Sequence, residues 1–319
     1  MDYPTVTYKT EFGKFTLLNN EMFIKQSFDK GSHWEYDIIK KLLALVDEED
    51  TVINIGSHVG TTLIPLANKC SRVFAFEPQR KLYTLLLKNL LDNNITNVIP
   101  FNGVVSNSEF EFIYMNHTDN YGTQLNNNND NVNYGGCSIG LGGDKVRNYV
   151  LDDFNIRGIK LITIDTEGSE PFVLLGCLRT IRNNRPILMI EQNFIKVTNE
   201  MELSLGQTTE INIEECLCLT LDYNNPIHLG DYNYLYIPRF FDEFKYIGRS
   251  FKDGFDDIWY MGDNYITQTT GNRGPYEYII INENTIIVKF GEYIIGNIYE
   301  LDENCVIGWS NNSQWESIM

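Results

Sequence analysis

Four carboxylates stand just beyond runs of β-branched and aliphatic residues: Glu77 after 72–76, Asp165 and Glu167 after 160–164, and Glu191 after 187–190. In open α/β sheets, binding and reacting groups sit outside the carboxyl ends of the strands. One such acid can accept the two hydrogen bonds of a ribose diol, and another can take a proton from a hydroxyl. Acids at these places also cap helices and meet helix dipoles. Glu170, one turn into a helix, is the one that best fits a pure cap.

The second chemical feature is Asn54-Ile55-Gly56-Ser57-His58-Val59-Gly60, a glycine-bearing turn after a buried β-branched run. It lacks the third glycine of the dinucleotide fingerprint and the Gly-Lys-Ser/Thr of a P-loop. No Lys or Arg lies between positions 52 and 68 to meet a pyrophosphate. Glycines that let a backbone approach, with Glu77 one β-α-β unit later, suit an adenosine ligand without phosphates. S-adenosylmethionine is the common one. His58, inside the turn, can touch either this cofactor or the acceptor. His33 reads as a capping or surface residue, and Glu35, on an otherwise apolar helix face, needs a partner.

The elements that position these groups follow from periodicity. Residues 1–28 form an opening hairpin turned at Glu11-Phe12-Gly13 and Asn19-Asn20. Gly31-Ser32 caps a helix whose stripe is Trp34, Ile38, Ile39, Leu42, Leu43 and Val46. Strands follow at 51–55, 72–76, 97–105 and 160–164, with helices at 61–68, 82–90 and 171–182 between or after them. A fifth strand, 187–190, precedes an antiparallel edge pair at 216–221 and 234–237. The segment 106–149 is a hairpin insertion carrying an Asn-rich stretch, 126–133, that cannot pack a core and reads as a mobile loop. From about position 241 the pattern turns to short Tyr-, Ile- and Trp-rich runs broken by Gly and Asn, a small β-sheet or barrel of five or six strands. The domains are therefore 1–240, α/β, and 241–319, a small all-β module.

Composition narrows the function. With 319 residues and a formal charge of −18, the chain lacks the clustered cations that a nucleic-acid substrate requires. Its six cysteines form no CxxC and no Cys/His cluster of zinc-ligand spacing. No His-carboxylate spacing marks a metal site, so none is expected. No secretion signal or apolar run of membrane-spanning length is visible, which makes a soluble cytoplasmic protein the expectation and a membrane partner not one.

In order, Val52-Ile53-Asn54-Ile55-Gly56-Ser57-His58-Val59-Gly60, Phe76-Glu77-Pro78, Ile164-Asp165-Thr166-Glu167-Gly168-Ser169-Glu170 with Leu174-Leu175-Gly176, and Arg185-Pro186…Glu191 resemble the FkbM-type S-adenosylmethionine-dependent methyltransferases. Trp34-Glu35 and Leu151-Asp152 agree, and the resemblance covers roughly 30–240. It implies a seven-stranded Rossmann-like class I methyltransferase sheet and O-methylation of a sugar, glycan or related small molecule. It places cofactor on Asn54, Gly56, Ser57, His58 and Gly60, ribose on Glu77, and Asp165, Glu167 and Glu191 toward the methyl group and acceptor, with Asp165 or Glu167 as base. The family usually carries Asp where this chain has Asn54, which removes a charge from the grip on the cofactor's ammonium. The competing reading is a catalytically weak methyltransferase fold that serves as a glycan-binding or structural protein through its β module. An RNA cap methyltransferase is disfavoured by the acidity. An Asn-rich chain of this kind with an added β module suits a large DNA virus that builds its own glycans, which would place it in host cytoplasm or virion. The sequence leaves the oligomeric state and the particular hydroxyl open.

Overall fold

The computed structural model describes residues 4–126, 131–193 and 197–239, and the backbone of strands lying between 250 and 318. The chain divides into two units, Met1–Tyr236 and Ile237–Met319. The first opens with the hairpin β1 (Thr5–Thr10) and β2 (Gly13–Leu18), antiparallel across Glu11-Phe12. Helices α1 (Ile24–Asp29) and α2 (Tyr36–Leu43) come next. α2 starts later than the Gly31-Ser32 cap predicts: its N-cap is Glu35, held at φ 52° with no side-chain cap.

The nucleotide-type half follows: β3 (Thr51–Ile55), α3 (Leu63–Ala67), β4 (Arg72–Phe76), α4 (Arg80–Asp92) and β5 (Val98–Phe101). All five residues of β3 are buried, as a strand covered on both faces requires, and its unbroken apolar run reflects this. Three strands then build a side sheet: β6 (Gly103–Val105), β7 (Phe112–Tyr114) and β8 (Lys145–Tyr149), in the order β6-β8-β7. The central sheet resumes with β9 (Ile159–Ile164), α5 (Glu170–Leu175), α6 (Leu178–Asn184) and β10 (Ile187–Glu191). After α7 (Asn199–Leu205) it ends in β11 (Ile227–Gly230) and β12 (Asn233–Tyr236).

The seven-stranded sheet runs β11-β12-β10-β9-β3-β4-β5. The pairings from β10 to β5 are parallel, and β12 runs against both its neighbours. Strand order reverses between β3 and β9, so their carboxyl ends open a crevice at the switch point. Ile53, Ile55, Ile162, Ile164, Leu188 and Ile190 form one core with Val173, Leu174 and Cys177, the apolar layer that fixes how far each strand end projects.

Several local expectations are corrected. The strand expected over 97–105 breaks at Asn102, whose Nδ2 donates to the carbonyls of Glu77 and Pro78; β5 stays in the central sheet and β6 leaves it. The helix expected over 171–182 breaks at Gly176. There the Asp152 N–H donates to the Gly176 carbonyl, and a Cβ would lie 2.5 Å from the Ser106 carbonyl oxygen. The Asp152 carboxylate then accepts the Arg179 and Thr180 N–H groups, at 2.9 and 2.6 Å, and starts α6. The run 216–221 is not an edge strand. A helical turn at Ile213–Glu215 continues into a π-helical turn at Cys216–Thr220, with the Asn212 side chain accepting the Glu215 N–H. Burial of Ile213, Leu217, Cys218 and Leu221 follows a helical spacing. The true edge pair is β11 with β12.

Asn89 of α4 and Asn93, the residue that caps the helix's C-terminal end, clamp the opening hairpin. Asn89 accepts the Thr16 N–H (2.7 Å) and donates to the carbonyls of Thr16 and Val59. Asn93, one turn on, exchanges the same pair of bonds with Lys14. Together they stand in for a neighbouring strand.

The second unit is a closed antiparallel barrel of eight strands, from Ser250–Asp253 to Gln314–Ile318, whose first and last strands pair with each other. Five or six are expected from the sequence; the two that close the barrel are the ones its turns do not set apart. In the final hairpin Ile307 pairs with Trp315 and Gly308 with Gln314. Positions 310–313 between them lie outside the described residues, as do 127–130 of the Asn-rich stretch, where a mobile loop is expected. Among the described residues no helix is long and apolar enough to cross a membrane.

Candidate active site

The crevice at the switch point is a cavity of about 320 Å3, within the range of small-molecule sites. The β3 turn forms one side. Gly56 and Ser57 both donate their N–H groups to the Phe76 carbonyl, which folds the turn over the end of β4. Gly56 adopts φ +87°, and a Cβ there would lie 1.7 Å from the Asp165 carbonyl oxygen. Gly56→Ala is therefore expected to destabilise the protein by about 3–5 kcal/mol, combining backbone strain with a backbone clash. Urea denaturation measures this, and a loss under about 1 kcal/mol would show that the tips of β3 and β9 can separate.

Glu77 directly follows β4 and is 3% exposed. Oε2 accepts the His58 N–H at 2.8 Å and Oε1 accepts the Gln79 N–H at 2.7 Å. Burial pushes its carboxyl up to about 8, against the pull of those two donors. Each oxygen keeps a lone pair for a hydroxyl.

The strand ends of β9 and β10 supply the other acids. Asp165 is anchored by its N–H to the Ile55 carbonyl. Glu167 follows at φ 53° and Gly168 at φ 94°. Glu170 holds this turn: its Oε1 accepts the Thr166 N–H and hydroxyl and the Gly168 N–H. It clamps the loop as well as opening α5, and does not line the cavity. Carboxylate oxygens of Asp165, Glu167 and Glu191 all lie within 4.8 Å of one another. Desolvation raises all three, and Glu191 is raised further by the charge of Asp165 and a hydrogen bond to it. Glu191, pushed up to about 11, holds its proton beside Asp165, whose own carboxyl is also raised by burial. Three hard oxygen donors this close are also a set that can hold a divalent cation, although the sequence carries no metal-ligand spacing.

Of the site residues read from the sequence, the cavity brings together Gly56, Ser57, His58, Glu77, Asp165, Glu167 and Glu191. Asn54 and Gly60 stand behind it. Asn54 is buried, its Nδ2 donates to Thr163 Oγ1, and its Oδ1 has no partner. Gly60 is packed against Leu86 and Ile64. His58 lines the cavity with neither ring nitrogen partnered, and burial lowers its pKa to about 4, so the ring is neutral. His33 is neither cap nor surface. It is buried among Phe12, Phe15 and Phe28, with Nε2 on the Thr61 carbonyl and Nδ1 on Thr10 Oγ1.

Sequence reasoning missed several groups. Asn193 donates to Glu167 and Glu191; its position two residues beyond Glu191, on the same side of an extended chain, was the available signal. Asn233 donates to Glu35 at 3.1 Å, the partner that Glu35 needs. Glu35 lines the cavity, and burial followed by the charge of Asp165 raises it to about 7. Glu21, Phe23, Asn120, Tyr121 and Asn133 also line it, and no local pattern marks them.

A doubly wound seven-stranded sheet with a glycine turn, a buried acid after β4 and clustered carboxylates at its switch point is the class I methyltransferase architecture. A family model for the methyltransferase FkbM domain matches residues 54–216, and the chain belongs to that family. Similar solved structures include methyltransferase FkbM from Methylobacillus flagellatus KT, 20% identical over 60% of this chain and 44% of that one, with a TM-score of 0.39. Trm5b from Pyrococcus abyssi is 11% identical over 74% of this chain and 55% of that one, TM-score 0.39. P. horikoshii TYW2 in complex with MeSAdo is 16% identical over 31% of this chain and 35% of that one, TM-score 0.25. The chain thus spans roughly half the length of the first two. No curated protein matches it by sequence.

Proposed function

We propose that the protein transfers a methyl group from S-adenosylmethionine to a hydroxyl of a sugar or related small molecule. One observation carries this reading: a single cavity holds both a nucleoside-type half, Gly56 to His58 with Glu77, and a cluster of carboxylates with raised proton affinity. The residues fit the cofactor. Side-chain-free backbone at Gly56 admits close approach, Glu77 receives a ribose diol, and Val104 and Val105 offer apolar surface to a base. His58 brings unpartnered ring nitrogens, one a donor and one an acceptor in the neutral ring.

The cofactor supplies an electrophilic methyl on a sulfonium. The protein's work is to orient the acceptor oxygen and to receive its proton. Asp165 is placed to do the second: it directly follows β9 beside Gly56, and its carboxylate lies close to those of Glu191 and Glu167. Asn193 orients Glu167 and Glu191 by donating to each.

Isothermal titration with S-adenosylmethionine tests the nucleoside half. Micromolar binding is expected, and Glu77→Ala should weaken it by about 1–3 kcal/mol, the scale for leaving hydrogen-bonding groups unpaired in a buried site. Absence of binding at millimolar concentration would overturn the reading; unchanged affinity in a folded Glu77→Ala protein would move the ribose elsewhere.

A further inference from the structure

We propose, building on the methyltransferase reading above, that the acceptor is a glycosyl unit bearing no phosphate, nucleotide or carboxylate, recognised by a wall that the central sheet does not supply. Two independent features carry this. The first is the charge of the lining. Glu21, Glu35, Glu77, Asp165, Glu167 and Glu191 face the cavity, and among the described residues its lining includes no Lys and no Arg. An anionic acceptor would be taken out of water with no counter-charge to meet it, and ionisation of any of these carboxyls would add like charge, an arrangement that disfavours such partners.

The second feature is the chemistry of the wall opposite the sheet. Phe23 and Tyr121 present rings whose centroids lie 6.0 Å apart at 44°, and Trp34 lines the same cavity. Beside the rings stand two amides, Asn120 and Asn133, with Asn133 Nδ2 donating to Asn120 Oδ1 at 3.1 Å. That bond leaves an amide donor on Asn120 and an amide oxygen on Asn133. Ring faces receive the C–H face of a pyranose, and amides exchange hydrogen bonds with its hydroxyls.

The wall is assembled in advance. Asp119, 5% exposed, accepts the N–H groups of Tyr121 (3.0 Å) and Thr123 (2.7 Å) on Oδ1 and that of Asn133 (2.9 Å) on Oδ2. Glu21, 4% exposed, accepts the N–H groups of Phe23 and Lys25. Backbone bonds from Met22 to Val132 and from Val132 to Asn20 join the two segments. A site so held loses little freedom on binding, which favours recognition of a defined shape.

The test uses the full chain, radiolabelled S-adenosylmethionine, and matched acceptors: methyl glycosides of hexoses and deoxyhexoses, the corresponding sugar 1-phosphates, nucleotide sugars and uronates. Label is expected in neutral glycosides, with kcat/KM lower by about 100-fold or more for the anionic counterparts. Equal or better transfer to an anionic member overturns the proposal, as does label in none of them while the cofactor still binds. Failure of cofactor binding is a different result and removes the methyltransferase reading itself, and the acceptor proposal with it. Tyr121→Ala, at a side chain 64% exposed, should raise KM for the glycoside by about 2- to 12-fold. Its cofactor affinity and thermal midpoint should stay unchanged. An unaltered KM would remove the ring wall from recognition.

Discussion

Asp165→Asn should lower turnover by about 10²–10⁴-fold, the range for loss of a positioned base, while cofactor affinity stays within about threefold of the parent. Asn is close in size and can donate to Glu191, so the cluster keeps its packing and loses its proton acceptor. The ribose-type acid Glu77 and the turn at Gly56 are untouched, and binding should follow them. Single-turnover methyl transfer beside calorimetric affinity separates the two effects. Wild-type turnover would take Asp165 out of the chemistry. The same assay in EDTA should proceed at the normal rate; loss that Mg²⁺ restores would reassign Asp165, Glu167 and Glu191 from proton transfer to ligation.

The second large effect is on stability. Without ligand, the protein should unfold more easily as pH rises, the reverse of the behaviour of a surface built on paired carboxylates. Burial raises Glu77 to about 8 and Glu35 and Glu170 to about 7. Between the ordinary glutamate range and those values the native state holds protons that the unfolded chain has released. Their contribution is complete below pH ~4.5 and fades as pH climbs through 7 to 8. Each such carboxyl contributes a slope of at most about 1.4 kcal/mol per pH unit inside its window. Urea unfolding at pH 5.5 should therefore exceed that at pH 8.0 by about 2 kcal/mol or more. Because the net charge of −18 also repels more strongly at high pH, Glu77→Gln supplies the control, and its profile should be flatter than the parent's. A flat or rising parent profile would mean that these carboxyls ionise freely in the folded state.

Much of this arrangement is legible in the sequence for a simple reason. Strands buried on both faces leave unbroken β-branched runs, and the residue at which each run stops is the residue delivered to the crevice. Glu77, Asp165 and Glu191 are visible that way, and so is the glycine turn. The parts that stayed hidden depend on contacts between distant segments. Gly176 breaks a helix because Asp152 and Ser106 approach it. Asn102 diverts a strand because the carbonyls of residues 77 and 78 receive its amide. Cys216–Thr220 looks extended as an apolar run, while its burial follows a helical stripe. β8, with alternating exposure, was lost in the insertion because only its pairing with β6 and β7 gives it a sheet to join. Asn120, Asn133 and Asn233 carry no local signature, since an asparagine-rich chain makes each one look like background.

The contact between Gly56 and the Asp165 carbonyl has a consequence for how such proteins can diversify. The turn after β3 and the tip of β9 are not separate parts, because the one is packed against the backbone of the other. Sliding β9 by one residue, or giving position 56 a side chain, damages both at once.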